Sequence, residues 1–339
     1  MPNTTDDALA DMRVLIRSFQ ISKMLGVAAA LGLADRLGES TKPLTALARE
    51  SGAHPEMLLR LCRALAAFGI FTVDDSGNIA HTERSRLLRS DSRPTLHHAA
   101  LYWTMPSNWA AWALLEDTIR TGRPAFETVF GVPNFTYLEA HPEEGRLFDD
   151  FMRHSPDDRH AAVIDAYDFS AVKLMVDVGG GNGGFVKATL TKNGQLRAVL
   201  SDQKEVVATA AATLGEAAER CRIEPGNFFE TVPAGGDLYV LSQILHDWDD
   251  ANCRKILTNC RAAMGASARL LVIERVLDLT PGKTDPTSFL SDIDSMMLFP
   301  GAKERTLAEY AELLRETGFT EPRLIPTRSV FSILETAPN

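Results

Sequence analysis

Four short segments combine residue types that could do chemistry. In the first, Val176-Asp177-Val178 runs into Gly179-Gly180-Gly181-Asn182-Gly183-Gly184, followed by an apolar helical stretch at 185–190. Glycine lets a backbone approach a ligand closely and adopt positive φ, and the helix N-terminus beyond it offers unpaired N–H groups. Dinucleotides and S-adenosylmethionine both bind at such a strand-turn-helix unit, although the same turn also serves as a plain connection. Asp177 just ahead of the glycines, and the position of the unit behind a helical half, favour S-adenosylmethionine. The second segment, Ala198-Val199-Leu200-Ser201-Asp202, puts an acid about 20 residues beyond the glycines, where a carboxylate can accept ribose hydroxyls in either cofactor class. The third is Ser242-Gln243-Ile244-Leu245-His246-Asp247-Trp248, at the carboxyl end of an apolar strand. A neutral imidazole can take a proton from a hydroxyl near neutral pH. A lone histidine is more often structural, but Leu271-Val272-Ile273-Glu274 ends the next apolar strand in a carboxylate. If those strands are neighbours, Glu274 can reach His246 and fix its tautomer. The fourth segment, Phe299-Pro300-Gly301-Ala302-Lys303-Glu304-Arg305-Thr306, precedes a helix, where Glu304 would also suit the macrodipole.

The elements that must position these residues form two unlike halves. Residues 12–37 carry Val14, Ile16, Phe19, Ile21, Leu25 and Val27 at helical spacing, on an apolar face wider than one stripe, which suggests burial against a second subunit. A short helix at 43–52 ended by Gly52, a second at 57–68, and a hairpin across Asp74-Asp75-Ser76-Gly77-Asn78 read as a winged helix. Residues 101–165 are helical and rich in large side chains, among them Trp103, Trp109, Phe148 and Met152, most of them suited to packing and some to an apolar pocket. From Lys173 onward, apolar strands at 174–178, 197–201, 237–241 and 270–274 alternate with helices, the pattern of a parallel sheet covered on both faces. Segments 321–325 and 330–335 read as a terminal antiparallel hairpin.

Composition narrows the function. With 339 residues, 45% apolar and 24% charged, the chain can bury a sizeable core, and its net charge of −10 argues against nucleic acid or an anionic membrane as partner. The second helix of the winged-helix region has only Arg60 and Arg63 as basic residues, so a DNA-binding regulator is the weaker reading. The four cysteines, Cys62, Cys221, Cys253 and Cys260, have no metal-site spacing and read as reduced thiols in a cytosolic protein without a metal. The N-terminus lacks the features of a signal peptide, and no apolar run approaches a membrane span.

Taken in order, Val176–Phe185, Asp202, Gly226-Asn227-Phe228-Phe229, His246-Asp247-Trp248, Glu274 and 301–306 resemble the plant-type small-molecule O-methyltransferases, the family of caffeic acid O-methyltransferase and its bacterial relatives, over nearly the whole chain. The resemblance implies an α/β fold: a Rossmann-like class I methyltransferase domain at 166–339, with a mostly parallel seven-stranded sheet and a terminal antiparallel hairpin. Ahead of it would stand a helical winged-helix dimerisation domain at 1–100 and a connector at 101–165 that lines the acceptor pocket. It also implies a homodimer that uses S-adenosylmethionine to methylate a hydroxyl on a small aromatic or polyketide-like molecule.

By that resemblance Gly179, Gly181, Gly183, Asp202, Gln203, Asn227, Phe228, Ser242, Gln243 and Trp248 surround the cofactor. His246 is the general base, with Glu274 and Glu304 beside it, and Trp109, Phe148, Met152, Asp247, Met296 and Met297 match acceptor-lining regions. The sequence departs from the family at Asn227, where Asp is usual, at Ser242, where plant members carry Lys, and at Gln203, where an apolar residue is common; these touch cofactor affinity rather than chemistry. Non-methyl-transfer chemistry on the same cofactor, or transfer to carbon or nitrogen, stands as the alternative within the fold.

Overall fold

The computed structural model describes residues 5–154 and 159–339. They divide into two compact units, the first drawn from Met1–Glu116 and Phe126–Pro156, the second from Asp117–Ala125 and Asp157–Asn339.

In the first unit, helices Ser18–Ala30, Leu33–Leu37, Leu44–Ser51 and Pro55–Ala67 enclose Leu33, Leu37, Leu47, Leu58, Cys62 and Leu65. Strands β1 (Lys42–Pro43), β2 (Phe71–Val73) and β3 (Asn78–His81) form a small antiparallel sheet in the order β1-β3-β2, and Phe71 and Ile79 close the same core. Asp74 builds the β2–β3 turn: its Oδ1 accepts N–H bonds from Ser76 and Asn78 at 2.9 and 2.8 Å. The expected helical stretch at 12–37 is three helices rather than one. Thr5–Ile16 ends ahead of Arg17, and Gly32, at φ 59°, breaks the second from the third. Leu9, Met12, Val14, Leu15, Ile16 and Phe19 are all exposed, so the first helix presents an uncovered apolar face. Residues 126–156 cluster with this unit, so the stretch 101–165 is divided between the units instead of forming a body of its own. There Tyr102 stacks on Phe151 at 4.5 Å, in a cluster with Met105 and Leu138.

The second unit is built on a seven-stranded sheet. Its parallel strands are β4 (Leu174–Val178), β5 (Arg197–Asp202), β6 (Cys221–Pro225), β7 (Leu238–Ser242) and β8 (Arg269–Glu274). A separate two-residue parallel pair joins β9 (Val276–Leu277) to β10 (Arg305–Thr306). Strands β11 (Arg323–Pro326) and β12 (Ser332–Thr336) add the antiparallel edge, giving the order β11-β12-β8-β7-β4-β5-β6. Val163, Phe169, Phe185 and Leu190 pack on one face, and Ile256, Leu257, Cys260, Tyr310 and Leu313 on the other. Each fully buried Leu or Ile contributes about 1.5–3 kcal/mol, which is why β4, β7 and β8 read as continuous apolar runs.

Strand β6 was not apparent in the sequence. It pairs only with β5, and as an edge strand it alternates Arg222 and Glu224 with apolar positions. The chain winds outward from β4 through β5 to β6 and then returns to β7 on the far side of β4. At such a reversal, here between β4 and β7, open α/β sheets leave a crevice outside the carboxyl ends of the strands, where they bind their ligands.

Candidate active site

The glycine turn leaves β4 at the lip of this crevice. Gly179 and Gly180 donate N–H bonds to the Ser201 carbonyl at 2.8 and 3.3 Å, lashing the turn to β5. Gly179 stands at φ 73°, and a Cβ added there would lie 2.5 Å from Ile244 Cδ1 and 3.3 Å from Phe228 Cε1, so a side chain would strain the backbone and displace Ile244. Gly181, at φ 60°, is different: a Cβ there would meet nothing within 4 Å, so its backbone faces open space. Gly183 follows as the cap of helix Gly184–Lys192. Asp202, at the end of β5, accepts the Gly181 N–H on Oδ2 at 2.8 Å and the Gln203 N–H on Oδ1 at 2.7 Å. Burial raises its pKa, and the two N–H donors oppose the rise. Beneath the turn, Asp177 is fully enclosed and neither carboxylate oxygen has a partner. Burial, with the Asp202 charge adding to it, pushes this acid up to about 7.

An aromatic wall stands beside the turn. Phe229 meets Phe228 at 4.9 Å and Trp248 at 4.7 Å, both edge to face. The Phe228 carbonyl is tied down by Asn259 Nδ2 at 2.8 Å. Asn227 Oδ1 accepts the Phe229 N–H at 3.0 Å, and its Nδ2 donates to Glu230 at 3.1 Å. A carbonyl oxygen has two lone pairs, so one remains for a ligand amine. Ser242 closes β7, and Gln243 after it is the one non-glycine residue at positive φ (57°) among the described residues, a strained backbone of the kind that collects at ligand sites. Its N–H is satisfied by Ile273 O at 2.9 Å, and its Oε1 accepts from Arg159 Nη1 at 3.3 Å.

His246 sits on a one-turn 3₁₀ helix, Leu245–Asp247, directly after that strained step. Strands β7 and β8 are neighbours with Ser242 opposite Ile273, so Glu274 comes up beneath the turn. Its Oε2 lies 2.9 Å from His246 Nδ1, while Oε1 accepts the Ile244 and Leu245 N–H groups at 3.0 and 2.8 Å. Glu274 has no solvent exposure, so a single buried carboxylate fixes both the turn and the ring. Nε2 lies 3.2 Å from Asp247 Oδ1. Burial by itself pulls the imidazole down, but the carboxylates of Asp247, Glu274 and Glu304 outweigh it and push His246 up to about 10. Glu304 is buried, and its Oε2 has no partner. Its own acid is pushed up to about 7, chiefly by burial, with the His246 charge working against that.

Of the residues expected at acceptor-lining positions, Asp247 is thus against the imidazole. Met296 and Met297 lie on helix Pro286–Leu298, where Met296 is half-buried and Met297 fully enclosed, so of the two only Met296 offers surface. Trp109, Phe148 and Met152 belong to the first unit. Trp109 lies under the Lys23 ammonium at 5.0 Å and lines an open cleft of about 830 Å³ with Val14, Phe19 and Leu61. Phe148 packs on Tyr102 at 5.9 Å, and Met152 is exposed.

Sequence reasoning missed Asp292, whose Oδ1 accepts the Glu304 N–H at 2.8 Å, and the Lys303 N–H, which donates to the His246 carbonyl at 3.0 Å. Nothing in the local pattern marks either contact, since each joins segments that only the fold brings together.

Residues 112–320 match the model of the O-methyltransferase domain, and residues 14–91 match that of the O-methyltransferase dimerisation domain. The chain belongs to the O-methyltransferase family. It is 38% identical to phenazine O-methyltransferase of Lysobacter antibioticus, over 96% of this chain and 94% of the relative. It is 39% identical to O-demethylpuromycin-O-methyltransferase of Streptomyces alboniger, over 96% of this chain and 88% of the relative. Among solved structures, it resembles an O-methyltransferase from neocarzinostatin biosynthesis, in complex with S-adenosylmethionine and 2-hydroxy-5-methyl naphthoic acid. That match has a TM-score of 0.79 and 31% identity, covering 94% of this chain and 96% of the other.

The family uses S-adenosylmethionine, and the residues of this methyltransferase fit that cofactor on three observations. Open space stands over the Gly181 backbone, the Asp202 carboxylate retains lone pairs beyond its two N–H partners, and an edge-to-face aromatic wall stands at the same crevice.

Proposed function

We propose that this methyltransferase transfers a methyl group to a hydroxyl of a small aromatic or polyketide-like molecule, with His246 as the general base. The observation that carries this reading is the Glu274 clamp. With Nδ1 held at 2.9 Å by a buried carboxylate, the neutral ring carries its proton there and Nε2, beside Asp247 at 3.2 Å, is its basic nitrogen. Asp202 would hold the ribose hydroxyls and Asn227 the adenine amine, with Phe228 and Trp248 flanking. Bound S-adenosylmethionine supplies an already activated methyl carbon on a sulfonium. The protein must therefore mainly hold the acceptor oxygen in line, an effect of about 7–11 kcal/mol at best, and remove its proton. The carboxylates of Asp247, Glu274 and Glu304 raise the proton affinity of His246, which favours passage of the acceptor's proton to the neutral ring. The same carboxylates stabilise the imidazolium that forms. The test is incubation with methyl-labelled S-adenosylmethionine and a panel of phenols. Label is expected in an ether-linked product; label only on carbon or nitrogen, or cofactor consumed without any methylated product, would refute the hydroxyl reading.

A homodimer is supported by the dimerisation-domain match and by the exposed Met12, Leu15, Ile16 and Phe19 on the first two helices. Burying such side chains contributes about 1.5–3 kcal/mol each, so Ile16→Glu with Phe19→Glu is expected to give a monomer in analytical ultracentrifugation. A dimer of unchanged affinity would move the interface elsewhere. Among the described residues no helix is long and apolar enough to cross a membrane. The four cysteines are free thiols, three of them buried, in keeping with a reducing, cytoplasmic setting.

A further inference from the structure

The 3₁₀ turn that carries His246 is bracketed by the carbonyls of Leu245 and Trp248, and both point at one side chain. Arg305 Nη1 donates to Leu245 O and Nη2 to Trp248 O, each at 2.8 Å. The same guanidinium donates through Nε and Nη2 to Asp250 Oδ1, at 3.1 and 2.8 Å. Arg305 has no solvent exposure. Its backbone, on β10, pairs with Val276 of β9, two residues beyond Glu274. Its chain neighbour Glu304 is one of the carboxylates around the imidazole. One residue is therefore fastened at three points: to the base turn, to the segment leaving Glu274, and to the segment bearing Glu304.

We propose that Arg305 is a positioning residue for methyl transfer, holding the His246 turn in register with Glu274 and Glu304 by clamping the two carbonyls on either side of it. The inference rests on His246 being the base. Burying a guanidinium for stability alone is a poor bargain, because an apolar side chain of similar volume is often as good. A planar fork has what this place requires: donors fixed in one plane that reach two carbonyls and a carboxylate together. Lysine keeps the charge but is a point donor on a flexible stem and cannot span all three. A misplacement of about 1 Å in a reacting group can cost on the order of 100-fold in rate, so the loss should appear in turnover and leave cofactor binding alone.

Arg305→Lys, His246→Ala and the double variant test this by steady-state kinetics at saturating cofactor and acceptor, with calorimetry on S-adenosylhomocysteine. The expected result for Arg305→Lys is a kcat lowered by about 10–100-fold, with cofactor affinity within about threefold of wild type. In the His246→Ala background the same change should cost less than about threefold more, since the clamp acts through the imidazole. Wild-type kcat in Arg305→Lys beside an impaired His246→Ala overturns this inference and leaves the base assignment standing. Losses that multiply in the double variant also overturn it. Wild-type turnover by His246→Ala alone overturns the base assignment and this inference with it. If Arg305→Lys does not fold, Asp250→Asn carries the same test, since Asp250 is partly exposed and orients the guanidinium. About a fivefold loss of kcat, absent in the His246→Ala background, is then expected; no loss, or an additive one, overturns the clamp.

Discussion

Replacing His246 with alanine is expected to lower kcat by about 10²–10⁴-fold, the share that a positioned general base contributes. The affinity for S-adenosylhomocysteine should stay within about threefold, because His246 has no part in the glycine turn or the Asp202 pair. The imidazole is bound to Glu274 and stands against Asp247, and neither of those touches Gly181 or Gln203 in the described contacts. Glu274 keeps its bonds to the Ile244 and Leu245 N–H groups in the variant, so the turn has an anchor even without the ring. Removing the partner of a buried carboxylate still leaves charge uncompensated, and a lower melting temperature should accompany the lost turnover. Steady-state kinetics on a methylated product and calorimetry on the product cofactor read the two quantities separately. A kcat equal to that of wild type would remove His246 from the chemistry.

The second large effect falls on affinity instead. Asp202→Ala removes a carboxylate that accepts the Gly181 N–H and that, on the proposed function, would accept ribose hydroxyls. Hydrogen bonds to a charged group are worth about 1.5–3 kcal/mol each, so losing two of them should weaken S-adenosylmethionine binding by about 10²–10⁴-fold. Once the cofactor is saturating, kcat should recover to within a few-fold of wild type, because Asp202 sits at the end of β5 while the base turn follows β7. Calorimetric Kd values set against kcat at raised cofactor concentration check the split. A Kd within threefold of wild type would place the ribose elsewhere.

The two expectations separate grip from chemistry, and the fold makes that separation possible. The glycine turn and Asp202 stand at the ends of β4 and β5, and His246 and Glu274 at the ends of β7 and β8. All four strands are parallel and end on one edge, so the proposed cofactor site and the proposed base lie at the same edge of the sheet while hanging on different strands.

Much of this was legible along the chain. Near-continuous apolar runs at 174–178 and 270–274 mark strands covered on both faces. The glycine cluster after the first strand marks a tight turn, and the acid at 202 stands at the end of the next strand, about 20 residues on. Spacing pointed to those places, because a repeating period and a tight turn are local properties of backbone and side-chain pattern, while the ordered set of segments gave them their meaning. Elements whose signal is weak were not legible: β6, an edge strand with charged residues at alternate positions, and the breaks at Arg17 and Gly32 in the first helices.

Whether His246 meets Glu274 was beyond local pattern, since the sequence offered only the condition that their strands be neighbours. The pairing of β7 with β8 met that condition, and burial on both faces of the sheet chose the pairing. In the same way, Asp292, Glu304 and Arg305 took their places around the base turn only when a helix and a two-residue strand packed against it. Contacts between segments 28 to 60 residues apart cost chain entropy that local preference cannot repay. The closing of the hydrophobic core decides them, and with them which carboxylates and which guanidinium the imidazole shares.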